Sequence, residues 1–179
     1  MFGSYRVNEK KPDRPIRLHF KFKKGEINFY SCSIKFLEGD IHAHYDWSVD
    51  VMNEEWNPKS ARAKLKKCTQ DQICDALLEQ DIFAGVGNII KNEVLYRVKV
   101  HPESVVEALP PLKLKRLVDE ARTYSFQFLE WKKNYELNKH WLAHTKKTCL
   151  RCDHPMIKKY TGLKKRRSFI CTNCQLLYS

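Results

Sequence analysis

No apolar run in the sequence exceeds a few residues, so no segment is long enough to cross a bilayer. The start, Met1-Phe2-Gly3-Ser4-Tyr5-Arg6, lacks the apolar stretch of a secretory signal. There is no internal repeat and no low-complexity tract, which leaves out a repeat array. Negative charge is scarce in one place: residues 131–179 hold Glu136 and Asp153 against 12 Lys and Arg, so +10 of the formal net charge of +12 sits in the last quarter.

What is present argues for a folded protein. The 179 residues are 42% hydrophobic, with nine Phe, eight Tyr and four Trp. That suffices for one ordinary domain or two small ones and excludes a disordered basic tail. The expectation is a soluble, intracellular protein. A positive field concentrated in one quarter suits a polyanion such as DNA or RNA, a solvated basic face being the alternative.

Four of the seven cysteines form an ordered pattern: Cys149-x-x-Cys152, eighteen residues, then Cys171-x-x-Cys174. Two such knuckles place four thiolates on one tetrahedral ion, and this spacing points to one zinc ion. Four thiolates close the shell, which makes the ion structural rather than catalytic. The alternative, a pair of disulfides, fits poorly with the lack of a secretory signal and with Cys32, Cys68 and Cys74 outside the pattern. Between the knuckles, Met156–Tyr160 and Ser168–Ile170 read as hairpin arms, and Gly162-Leu163-Lys164-Lys165-Arg166-Arg167 reads as a basic tip.

Upstream, Ile16, Leu18, Phe20 and Phe22 alternate with Arg17, His19, Lys21 and Lys23. Lys24-Gly25 then turns the chain into Ile27–Phe36, which predicts an antiparallel hairpin with one buried face and a possible third strand in residues 1–8. A short basic helix is predicted over Lys59–Lys66. A second helix is predicted from the Thr69–Gln72 capping box to about Phe83, with Ile73, Leu77 and Leu78 on its core face. Ile89–Val98 reads as the next helix. A longer one runs from Pro110-Pro111 to about Asn138, with Leu114, Leu117, Val118, Ala121, Tyr124, Phe128 and Leu129 at i, i+3, i+4 spacing and Trp131 and Trp141 closing the core.

Between two of these helices lies Gly85-Val86-Gly87-Asn88. Two glycines allow positive φ and close approach to a ligand, and Asn88 stands where a helix start favours an anion. A tight turn with Asn88 as an ordinary N-cap is the equal alternative.

The run Leu77–Tyr96, followed by His101-Pro102, resembles the helix-two-turn-helix of the formamidopyrimidine-DNA glycosylase and endonuclease VIII family. Arg166–Gln175 resembles that family's C-terminal zinc finger. The resemblance extends over the whole chain, and it implies an α+β fold in three parts. These are a partial antiparallel β-sandwich with its linker (1–57), a helix-two-turn-helix DNA-binding domain (58–143) and a zinc-finger β-hairpin (144–179).

The same resemblance implies base excision repair: a damaged base is flipped from duplex DNA, its glycosidic bond is cleaved through a Schiff base, and the AP site is cut by lyase action. Carried over by position, Asn88 with Gly85 and Gly87 would hold phosphates beside the lesion. Arg166 would clamp phosphates of the flipped nucleotide, the alternative being one member of a solvated basic run with Arg167. Met1 would help fill the gap left by the flipped base, and Phe36 would wedge into the stack. Glu93 matches a carboxylate of the second motif helix, where a local structural role is as good a reading as a direct contact. Two departures stand out: Ile34 replaces an arginine that bonds the orphaned base, and Cys74 replaces a phosphate-binding lysine.

The family's nucleophile is an N-terminal proline, followed by a glutamate acid/base and assisted by a lysine on an early strand loop. This sequence begins without them, so no catalytic residue is assigned here, and the chain is expected to correspond to the C-terminal part of a glycosylase/AP lyase. A stand-alone zinc-dependent DNA-binding module is the other reading. Damaged double-stranded DNA is the expected partner and a monomer the expected state. The expected location is cytoplasmic, at the nucleoid of a bacterium or in the nucleus of a eukaryote. A ribosomal or transcriptional zinc ribbon would leave Gly85–Asn88 without a purpose.

Overall fold

The structure is a computed structural model and describes residues 4–179. It divides into two compact units, Met1–Tyr45 and Asp46–Ser179.

The first unit is a three-stranded antiparallel sheet of β1 (Ser4–Val7), β2 (Leu18–Phe22) and β3 (Gly25–Tyr30), in the order β1-β3-β2. The predicted third strand is therefore present. The hairpin register pairs Phe22 with Gly25, so the turn is Lys23-Lys24 and Gly25 opens β3. The strand stops at Tyr30, and the expected continuation to Phe36 has no regular structure.

The alternation is right, but the expected burial of its apolar face is not. Tyr5, Val7, Phe20 and Phe22 share a face with Ile27 and Phe29, and these four are 47–62% exposed. The covering segment packs on the other face: Lys11 N–H donates to the Tyr30 hydroxyl (2.9 Å), and the Asn28 amide donates to the Glu9 carbonyl (3.0 Å). Asn28 and Tyr30 are accordingly the buried residues of this sheet.

The second unit is helical. Asn57 caps α1 (Pro58–Leu65) by accepting from the N–H groups of Lys59 and Ser60, with Pro58 in the first turn. The helix predicted from the Thr69–Gln72 box to Phe83 is only α2 (Ile73–Ala76), and its N-cap is Gln72. Beyond it the chain runs in tight turns. Ala84 is drawn into main-chain bonds with Val49 and Val51, and the Gln80 side chain bonds the Leu78 and Val86 carbonyls and the Gly85 N–H. These competing partners end the helix early.

α3 (Asn88–Val98) ends on Lys99 in the left-handed conformation, φ 59°. α4 (Pro111–Lys133) buries Leu114, Leu117, Val118, Ala121 and Tyr124 as its spacing predicts, while Leu129 stays 37% exposed. Phe128 and Trp131 pack at the edge of this core, and Trp131 stacks on His140 with ring centres 4.2 Å apart. Trp141 lies instead near the finger, edge-on to His144, which in turn meets Phe169.

The C-terminal hairpin pairs β4 (Ile157–Thr161) with β5 (Arg166–Ile170). Arg166 and Arg167 therefore lie on a strand, and the tip is the turn Gly162–Lys165. Behind the hairpin, the tail bonds the segment after α3: His101 N–H to the Leu176 carbonyl (2.8 Å) and the Gln175 amide to the Val100 carbonyl (2.9 Å).

Candidate nucleic-acid interface and metal centre

The four patterned cysteines converge as expected. Their sulfurs lie within 4.8 Å of one another, and three pairs are 3.4, 3.5 and 3.9 Å apart. A tetrahedral Zn–S₄ site has sulfur–sulfur edges of about 3.8 Å, so the cluster fits zinc. Cys149 and Cys171 are fully buried, and all four are free thiols rather than disulfides. Hydrogen bonding from the Asn173 side chain holds the Cys152 thiol below its ordinary pKa. Against the cluster, Tyr96 of α3 places its hydroxyl 3.2 Å from the Cys149 sulfur, and the Arg151 guanidinium covers the Tyr96 ring at 3.9 Å.

α3 is the keel on which the finger sits. Asn88, Lys91 and Asn92 are spaced i, i+3, i+4 and share one helix face. All three donate to the main-chain carbonyl of Arg167, at 3.0, 3.3 and 3.1 Å. Lys91 also donates to the Ser168 hydroxyl (2.8 Å), and Asn92 Oδ1 accepts from the Phe169 N–H (3.3 Å). Glu93 is fully buried and accepts from the N–H groups of Leu142, Ala143 and His144 at 2.8–3.1 Å. It thus holds the strap that leads into the finger, which is the structural role among the two alternatives.

The hairpin tip is also tied down. Asp75 accepts from the N–H groups of Leu163 (2.6 Å) and Lys164 (3.1 Å), Lys164 pairs with Glu79 (2.9 Å), and Lys159 pairs with Glu103 (2.7 Å). A side chain on Gly162, which has φ +73°, would run into the Asp75 carboxylate. The main chain of the tip is thus docked on α2, and of the strand behind it Arg167 is exposed, Arg166 half-buried and Ser168–Ile170 buried.

The glycines beside α3 differ in kind. Gly85 has φ +89° and needs to be glycine for its backbone. Gly87, the N-cap, has an ordinary φ of −108°, and nothing lies within 4 Å of where its Cβ would be. No side chain caps the first turn of α3, and Asn88 is its first residue rather than its cap.

Residues 48–130 match the family described as the formamidopyrimidine-DNA glycosylase H2TH domain. The chain is 28% identical to endonuclease 8-like 3 of Xenopus laevis, over 98% of this chain and 30% of that protein. It is 29% identical to endonuclease 8-like 2 of Bos taurus, over 98% of this chain and 56% of that one. The chain belongs to the formamidopyrimidine-DNA glycosylase and endonuclease VIII family.

The fold agrees with this membership. Lactococcus lactis formamidopyrimidine-DNA glycosylase, solved in non-covalent complex with DNA containing an AP site, superposes with a TM-score of 0.74 at 23% identity. The match covers 97% of this chain and 70% of that one. The chain therefore spans less than two thirds of the curated relatives it matches.

At the α3–β5 junction the Asn88 amide bonds the main chain of Arg167, next to Gly87 and Arg166 in the chain, and the Arg167 guanidinium lies over the Tyr160 ring, 6.0 Å from its centre. Phe36 is 91% exposed on the irregular segment of the first unit, and Met1 lies outside the described residues. Cys74 is buried close to Lys91, and burial raises its thiol pKa. The sequence does not single out Lys91 and Asn92. The signal was a polar stripe on a helix bounded by apolar residues, which sequence alone does not assign to a partner more than seventy residues away. Among the described residues no helix is long and apolar enough to cross a membrane.

Proposed function

We propose that this chain is the DNA-binding part of a base-excision repair protein, a bifunctional DNA glycosylase and AP lyase. It grips damaged duplex DNA through phosphates at the α3–β5 junction and holds one structural zinc ion in the Cys149, Cys152, Cys171, Cys174 finger. The observation that carries this reading is the start of α3. Its main-chain N–H groups are left without a side-chain cap beside Arg166 and Arg167, and Gly87 leaves open the space through which a phosphate reaches them. The Asn88 amide is engaged on the Arg167 carbonyl, so Asn88 acts by setting the strand and by its own backbone N–H.

The zinc, when bound, supplies folding free energy to a hairpin too small to bury a core; the chain's own residues do the rest. Arg166 and Arg167 supply charge, α3 supplies N–H donors, and Asp75, Glu93 and the amides of α3 keep these in register. In this family base removal and strand cleavage rest on an N-terminal proline and glutamate.

The experiment is competition binding with borohydride trapping. The zinc-loaded chain is expected to bind an abasic-site duplex more tightly than an intact one without rapid covalent capture, whereas a Pro-Glu-initiated form is captured on abasic DNA. Equal affinity for intact and abasic duplex would overturn the repair reading and leave a general DNA-binding module.

A further inference from the structure

Lys91 is fully buried, yet its ammonium meets no carboxylate among the hydrogen bonds it makes. The acceptors are the Ser168 hydroxyl at 2.8 Å and the Arg167 carbonyl at 3.3 Å, and Ser168 is itself paired across the hairpin with Thr161 at 2.6 Å. The charged and titratable groups around it are Cys74 and Asp75 from α2, Arg166 from β5 and His144 from the strap. Asp75 is committed to the Leu163 and Lys164 N–H groups. A cation in the first turn of a helix also works against the helix dipole. Three positive contributions, from Lys91, Arg166 and the α3 N-terminus, therefore converge against the one carboxylate of Asp75 among the groups around Lys91. A leucine or methionine would pack there without that cost.

We propose that Lys91 is a positioning residue for phosphate recognition: its buried ammonium fixes the Arg166–Ser168 strand against α3 and completes the positive seat that a DNA phosphodiester neutralises. This rests on the DNA-binding reading above. Burial lowers the Lys91 pKa to about 8, which ordinarily suggests an amine nucleophile. Full burial and two bonded acceptors exclude that role, because the amine does not reach a substrate carbon. The linkage is instead that a bound phosphate favours the charged form, so binding above pH 8 takes up a proton, and binding weakens as pH rises.

The test is affinity of the zinc-loaded full chain for an abasic-site duplex between pH 7 and 9.5, with zinc content and urea midpoint measured on every variant. The unmodified chain is expected to weaken through pH 8. Lys91→Met is expected to bind roughly tenfold more weakly at pH 7, because the seat loses one positive charge, and to lack that inflection while keeping its zinc and its urea midpoint. Ser168→Ala keeps the charge but loses an acceptor, so its inflection moves to lower pH. It serves as the test should Lys91→Met lose zinc. With the unmodified chain bound, unchanged affinity and pH profile in Lys91→Met, or an unmoved inflection in Ser168→Ala, overturns this inference alone. No binding by the unmodified chain at pH 7 overturns the DNA reading and this inference with it.

Discussion

The carboxylate of Asp75, on the four-residue helix α2, receives the main-chain N–H of Leu163 at 2.6 Å, eighty-eight residues further along the chain. With the second bond to Lys164, it pins the main chain of an exposed, lysine-bearing turn to α2, just ahead of Arg166 and Arg167 on β5. Asp75→Ala is expected to cost about 1–2 kcal/mol and to speed amide exchange at Leu163 and Lys164. Unchanged exchange there would mean that the tip is held by something else.

Glu93 is the buried counterpart of that contact. Its carboxylate serves three N–H groups of the strap 142–144, and Glu93→Ala leaves those donors buried without an acceptor. The expected cost is roughly 3 kcal/mol in urea unfolding, and Glu93→Gln, which keeps one oxygen, costs less. Equal effects of the two variants would show that the carboxylate is not what holds the strap.

The two glycines before α3 separate backbone need from ligand need. Gly85→Ala forces a side chain into φ +89° and is expected to lower stability by about 1–2 kcal/mol. Gly87→Ala meets open space at an ordinary φ, so it is expected to cost under about 1 kcal/mol of stability but to weaken DNA binding clearly. A Gly87 variant that binds as the unmodified chain does would remove the phosphate approach from this point.

Metal removal tests the finger. A chelator added to the zinc-loaded chain is expected to abolish exchange protection over 149–174 while α4, packed through Leu117, Val118 and Ala121, keeps its helix. Acid has the same effect, because thiolates must be deprotonated to bind and affinity falls as pH falls. Protection of the finger that survives chelation would show that the metal is not what folds it.

What was legible in the sequence was what is local. The cysteine spacing fixes its own geometry, and the long apolar stripe from Leu114 to Tyr124 needs no partner to be recognised as helical. The helix predicted beyond Ala76 failed because Ala84 and Gln80 have better partners in Val49, Val51 and Gly85, contacts that no periodicity encodes. The hairpin's alternation identified its two faces but not which one the chain covers, since the choice rests on Asn28 and Tyr30 bonding back to residues 9–11. Asn88 was visible beside its glycines. Lys91 and Asn92 were not, because their meaning lies in the carbonyl of Arg167.

The central claim, that the α3–β5 junction is a phosphate-gripping surface, is tested most directly by the salt dependence of binding to an abasic-site duplex. The account predicts that log Kd rises linearly with log salt with a slope of several, each neutralised phosphate releasing a counterion, and that the slope falls by about one in Arg166→Ala. Binding that ignores salt, or an Arg166→Ala slope equal to that of the unmodified chain, would contradict it.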